Sequence, residues 1–157
     1  MSLLDKKYDY IIRTNISTLI DFRKLSKELG KNPIDYGAGR CITITNGWRD
    51  YKSGIENDRY EGLIFPSGTC IIFSRKLFDK MMYKIHLIDY SVIDDVSIGH
   101  FMTKYFPGYK LNNFYDGTNK NLSISKNNVD RYIFFRNKNT NNRHMDTESI
   151  KTLIKYL

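Results

Sequence analysis

Apolar positions along this chain recur in two periods, and each period predicts its own kind of element. Residues 8–14 mix aromatic, aliphatic and polar side chains around β-branched Ile11 and Ile12, which predicts a largely buried strand. Leu19, Phe22, Leu25 and Leu29 then share one helical face, with Ser17 or Thr18 as cap and Gly30 and Pro33 as stop. Gly37-Ala38-Gly39 predicts a turn, residues 40–45 an alternating strand, and Asn46-Gly47 a second turn. Residues 48–62 are polar, charged and glycine-punctuated, the pattern of an excursion over the surface.

Residues 63–73 predict a strand pair, or one bent strand, around Pro66-Ser67-Gly68. Ser74 caps a helix through Tyr83 that turns Leu77, Phe78, Met81 and Met82 inward. Asp94 or Asp95 starts another helix through about Tyr105, ended by Pro107-Gly108. A short strand over 109–116, an Asn-rich loop over 117–128 and a strand over 129–136 follow. A basic segment spans 137–143, and Asp146 caps a last helix facing inward with Ile150, Leu153, Ile154 and Leu157. No internal repeat is visible. Strands and helices in this irregular order predict an α/β fold, a mixed sheet with flanking helices, in a single domain over 1–157.

Composition narrows the class. At 157 residues, 41% hydrophobic and 14% aromatic, the chain can bury a core and is not a disordered segment. Its apolar runs are too short to cross a bilayer, and no signal-peptide pattern appears, so a cytoplasmic location is expected. Cys41 and Cys70 lack CxxC spacing, and reduced thiols are the simpler reading than a disulfide. The net charge of +8 raises a nucleic-acid hypothesis, a small basic binder with salt-sensitive affinity. Lys, Asn, Ile and Tyr share AT-rich codons, however, and the charge is scattered, so nucleic acid is not the expected partner. His86, His100 and His144 have no metal-ligand spacing.

Three distant segments carry the candidate chemistry: YDYIIRTNIS over 8–17, FPSGTCIIFSR over 65–75 and IDDVSIG over 93–99. The first is an apolar strand running into a polar turn, the second a Ser-Gly bend feeding a strand and helix, the third an acidic pair at a helix start. Their order and spacing resemble the C-terminal half of GT-A fold glycosyltransferases, in particular the beta-1,3-galactosyltransferase and Fringe-like group. The resemblance implies a partial GT-A (nucleotide-diphospho-sugar transferase-like) domain and a hexosyltransferase-type activity. A sugar would pass from a nucleotide-sugar donor to a carbohydrate hydroxyl, with inversion.

Under that resemblance the D-x-D turn of the family falls on Arg13-Thr14-Asn15-Ile16-Ser17. Asn15 stands at the first carboxylate and Ser17 at the third, so no anionic ligand remains for a divalent metal, and a metal-independent reaction is implied. Arg13, Asn15 and Ser17 become donor-side groups, while Arg136, Lys138, Arg143 and His144 become the clamp on the leaving diphosphate. Asp95 becomes the base and Asp94 its supporting neighbour. Ser67 and Gly68 match the acceptor-lining strand, although Cys70 and Ile71 replace its second glycine and aromatic; Trp48 could stack on a sugar.

Each assignment has a structural counterpart. Asn15 can form a turn and Ser17 cap a helix. Asp94 and Asp95 can simply cap one, Ser67-Gly68 can be a tight turn, and the basic groups a solvated loop. Trp48, Tyr51 and Tyr60 can fold back on the core. The family's domain also begins with a nucleotide-binding half that does not match here, which implies a separate nucleotide-binding half, a longer chain or a homo-oligomer. A non-catalytic carbohydrate-binding remnant is the second functional reading.

Overall fold

The computed structural model describes residues 7–114, 126–136 and 142–157, without the side chains of 126–128 and Arg143. Among these residues the strands are β1 (Tyr10–Thr14), β2 (Thr18–Ile20), β3 (Tyr36–Ala38), β4 (Cys41–Thr43), β5 (Ile64–Pro66), β6 (Cys70–Ser74), β7 (Leu111–Asn113) and β8 (Phe134–Arg136). The helices are α1 (Phe22–Lys31), α2 (Arg75–Tyr83), α3 (Asp94–Tyr105), α4 (Lys126–Arg131) and α5 (Arg143–Ile154). The fold is α/β.

Its centre is a four-stranded mixed sheet in the order β1-β6-β3-β7. The β1–β6 and β6–β3 pairs are antiparallel, and β3–β7 is parallel. Two ribbons flank it, β2–β8 and β4–β5, both antiparallel. Residues 70–73 of β6 are buried on both faces, and the pleat sorts them. Ile71 and Phe73 join Tyr36, Leu77, Met81, Phe101, Met102 and Phe106 beneath α2 and α3. Cys70 and Ile72 turn the other way, onto Ile20, Leu25, Leu29 and Phe134. A third cluster, with Ile44, Ile55, Tyr60, Phe65, Val92 and Val96, seats the start of α3 on the β4–β5 ribbon.

The α2 helix, its Ser74 cap and the bounds of α3 follow the sequence pattern; Ser74 accepts the Leu77 N–H at 3.2 Å. Elsewhere tertiary pairing overrides it. Residues 18–20 form a strand because β8 offers them a partner, and the helix start moves to Asp21, whose carboxylate accepts the Arg23 and Lys24 N–H groups at 3.1 Å. Phe22 is consequently exposed while Leu25 and Leu29 are buried. Gly37-Ala38 is not a turn but the buried middle of the sheet, where Ile34 and Phe114 press on Gly37. The strand expected over 129–136 is divided between α4 and β8. The last helix begins at Asn142, which accepts the His144 N–H, so Asp146 lies buried in its first turn.

Residues 48–62 are less superficial than their polarity suggests. Ile55 and Tyr60 are core residues, held by an Asp50–Ile55 bridge and by the Tyr60 hydroxyl donating to Asp89 at 2.8 Å. Neither Cys41 nor Cys70 is disulfide-bonded. No helix among the described residues is long and apolar enough to cross a membrane.

Helix α3 lies so close to β5 that Gly99 has no room for a side chain. A Cβ there would fall 2.4 Å from Phe65 Cβ and 2.9 Å from its Cα. Gly99→Ala should therefore cost about 1–3 kcal/mol, with a melting temperature lower by about 2–4 °C per kcal/mol. An unchanged melt would show that α3 and β5 separate easily.

Candidate functional site

Strand β1 delivers Arg13 to the sheet edge, and its register sets Arg13 opposite Ile71 and Thr14 opposite Cys70. The chain between β5 and β6 bends there through Ser67-Gly68-Thr69. The bend is anchored on its far side by the Ser67 N–H, which donates to the Arg40 carbonyl at 2.7 Å. Within it the buried Ser67 and Thr69 hydroxyls lie 3.1 Å apart. On β1, the Thr14 hydroxyl donates to the Thr69 carbonyl at 2.8 Å.

Helix α3 brings its acidic pair to the same bend. The Gly68 N–H donates to Asp95 Oδ2 at 3.0 Å, and the Val96 N–H donates to Asp95 Oδ1 at 3.0 Å. Arg13 closes the group from β1: Nη1 donates to the Gly68 carbonyl at 3.0 Å, and Nη2 is paired with Asp94. Gly68 is thus clamped by both of its backbone polar groups. A Cβ on Gly68 would sit 2.9 Å from Arg13 Nη1 and 3.3 Å from Asp95 Oδ2. The space a side chain would take is filled by the two charged groups, which is the close backbone approach glycine permits.

From the opposite side, β8 pairs with β2 so that Arg136 stands opposite Thr18. Its Nη1 donates to Thr69 Oγ1 at 3.3 Å. Two guanidinium groups, from Arg13 and Arg136, therefore reach one three-residue bend from two different strands. Burial raises the Asp95 carboxyl above the usual aspartate range. The Gly68 and Val96 N–H groups pull it back, the Asp94 carboxylate pushes it further up, and Arg13 lowers it. The start of a helix favours ionised Asp95; partial removal from water outweighs that support and makes Asp95 a stronger base than a solvated aspartate.

The sequence-derived candidates divide. Arg13, Asp94, Asp95, Ser67, Gly68 and Arg136 come together. Asn15 and Ser17 share the β1 end, but their polar atoms face each other: Asn15 Oδ1 accepts from the Ser17 N–H at 3.2 Å, the Ser17 hydroxyl at 3.1 Å and the Thr18 hydroxyl at 2.8 Å. This is an Asx turn, and Ser17 is buried in it. Trp48 packs against the third core cluster, and no hydrogen bond joins it to the bend. His144 is exposed at the start of α5, its backbone N–H capped by Asn142. Lys138 and the Arg143 side chain lie outside the described residues. Among the described residues no three His, Cys, Asp or Glu side chains are grouped to hold a metal ion. Thr14 and Thr69, which sequence reasoning passed over, tie the bend to β1 and Arg136; their only signal is adjacency to Arg13 and to Ser67-Gly68.

No known family model matches the chain, and no curated protein matches it.

The raised Asp95 carboxyl has a signed consequence for stability. An aspartate whose folded pKa exceeds its unfolded value lends stability at low pH and loses that contribution as pH rises through the folded pKa. The melting temperature of Asp95→Asn should gain on that of the native chain as pH rises from about 3 to about 7. A difference independent of pH would contradict the burial of this carboxyl.

Proposed function

We propose that the chain carries the catalytic, acceptor-side part of a glycosyltransferase that uses a nucleotide-sugar donor and a carbohydrate hydroxyl acceptor. One observation carries the reading: a half-buried carboxylate of raised basicity, Asp95, stands beside a glycine bend that two arginines reach. In the reaction the acceptor O–H gives its proton to Asp95 as its oxygen bonds to the anomeric carbon. The anomeric carbon–phosphate oxygen bond breaks on the opposite face, which inverts the centre, and the nucleoside diphosphate departs with the bonding pair. Arg136 faces the leaving charge in this scheme, where a forked donor suits phosphate oxygens. Arg13 is engaged by Asp94 and Gly68, so its part is to hold the base and the bend in register.

The donor turn supplies no carboxylate in this reading, and transfer proceeds without a divalent metal. Strand β1 lies at the edge of the sheet, which suits cover by a nucleotide-binding segment or by a second copy of the chain.

A second reading, carbohydrate binding without transfer, is favoured by a specific feature. Both Asp95 oxygens already accept backbone N–H groups, and the Asn15 oxygen is taken up by its own turn. A site whose polar atoms are so occupied can hold α3 in place with no chemistry attached.

Transfer and hydrolysis assays over a panel of nucleotide sugars separate the two. Turnover should persist in EDTA, and Asp95→Asn should lower it by about 10²–10⁴-fold while the circular dichroism melt stays cooperative. Turnover of Asp95→Asn at the native rate would remove the base. Glycan affinity with no donor cleavage under any condition would favour the second reading.

A further inference from the structure

Strand β1 is an outer member of the central sheet, and the alternation of hydrogen bonds fixes which of its backbone groups face outward. The Arg75 N–H donates to the Asp9 carbonyl at 2.7 Å, one position beyond the Tyr10–Ser74 pair. On the other side of β6, the Ser74 N–H donates to the Asp35 carbonyl at 2.8 Å, and the Gly39 N–H to the Cys70 carbonyl at 3.1 Å. Odd-numbered residues of β6 therefore bond to β1 and even-numbered ones to β3, because such bonds alternate along an antiparallel pair. Ile11 and Arg13 engage Phe73 and Ile71 through their backbones, while the backbone groups of Tyr10, Ile12 and Thr14 point away from the sheet. Among the described residues no strand pairs with that side, and no backbone hydrogen bond reaches it.

The side chains of β1 divide between the two faces. Tyr10 and Ile12 follow Ile72 onto the cluster of Ile20, Leu25 and Leu29. Asp9, Ile11 and Arg13 lie on the opposite face, with Ile71 and Phe73. Asp9 is exposed, and its carboxylate forms no ion pair among the described residues. Ile11 is half-buried yet belongs to none of the four core clusters. An unpaired edge that carries an isoleucine the core does not use is a template for a further strand.

The order of residues selects that strand. Run antiparallel against itself about Ile11, the segment 8–14 is self-complementary: Asp9 falls opposite Arg13, Tyr10 opposite Ile12 and Tyr8 opposite Thr14. This register also satisfies the backbone, since the outward-facing Tyr10 and Ile12 meet, and each such pair exchanges two hydrogen bonds. Ile11–Ile11 and Asp9–Arg13 become the pairs without mutual backbone bonds, whose side chains stand closest. A register centred on Ile12 would satisfy the backbone equally but set Asp9 against Asn15 and Arg13 against Ile11, losing the charge match. Arg13 gives one N–H to Gly68 and one to Asp94, and its guanidinium has further donors for Asp9.

We propose that the chain forms a two-fold dimer through β1, joining two central sheets into one, with Asp9 of each copy paired to Arg13 of the other. A second copy of the chain is thus the occupant of this edge. The dimer does not rest on the sugar-transfer reading, because it follows from the strand edge alone.

Sedimentation equilibrium of the full chain from about 5 to about 500 µM should show a monomer–dimer equilibrium, the modest affinity suited to a contact of one strand per copy. Asp9→Arg, an exposed change outside the core and the candidate site, sets cations opposite each other and should weaken dimerisation about tenfold. The register is read by cross-linking in a Cys41→Ser background, which removes the half-buried native thiol. Ile11→Cys should form an intermolecular disulfide under mild oxidation, because the two Cα atoms stand about 4.5 Å apart at such a pair. Ile12→Cys should not. A monomer across the whole concentration range would overturn the proposal, as would native dimerisation of Asp9→Arg or cross-linking at position 12 instead of 11.

Discussion

The arrangement of this fold depends on the grip on one glycine. Gly68 donates its N–H to the start of α3 and gives its carbonyl to Arg13 of β1, while its neighbours Ser67 and Thr69 bind the β3–β4 connection and β8. Four parts of the chain that share no secondary structure are thereby joined across three residues. The individual bonds are modest, and the half-exposed Arg13–Asp94 pair is worth about 1 kcal/mol at most. Their effect lies in geometry. They fix where α3 begins, and packing of Gly99 against Phe65 then fixes how closely it lies on β5. A helix held at its start by hydrogen bonds and a turn later by close packing has little freedom left.

That restraint explains how Asp95 can be partly buried and still be served. Taking a carboxylate out of water is costly unless it is hydrogen-bonded, and here two backbone donors meet its two oxygens. Asp94, one residue earlier, stays more exposed and takes the guanidinium. The two adjacent aspartates are chemically different because the helix turns one toward the bend and the other toward β1. An acidic pair in sequence becomes a partly buried, backbone-bonded carboxylate and an exposed tether in space.

Much of this was legible in the chain and some was not, for reasons that differ by element. The α2 cap at Ser74 and the start of α3 at the acidic pair are local signals, and local signals survive folding. Arg13, Ser67-Gly68, Asp95 and Arg136 stood out in the sequence one by one, by residue type and place in a segment, and it is the fold that shows them meeting at one bend. Spacing alone could not have given it, since contacts such as Arg13 to Asp94 join residues 81 positions apart. What failed was decided by partners. Thr18–Ile20 reads as the first turn of a helix until β8 is available to pair with it, and Gly37-Ala38 reads as a turn until it is known that two strands flank it. Asn15 illustrates a subtler limit: its residue type was read as a weakened ligand, whereas its oxygen is consumed by a turn three residues long.

The same logic separates the two ends of α3. At its start the Asp95 oxygens, both backbone groups of Gly68 and the Asn15 oxygen are all engaged within the chain, so a ligand there must displace or extend existing bonds. At its far end the core supplies Tyr36 with a stacked ring and, among the described residues, no acceptor. A fully answered polar group stabilises a fold by itself; an unanswered one does not. On that criterion the end of α3 beside Asp95 holds geometry while its carboxylate keeps lone pairs with which, in the transfer reading, it can take a proton, and the Tyr36 hydroxyl, sealed in the core, is a cost that its stacking on Phe73 must offset.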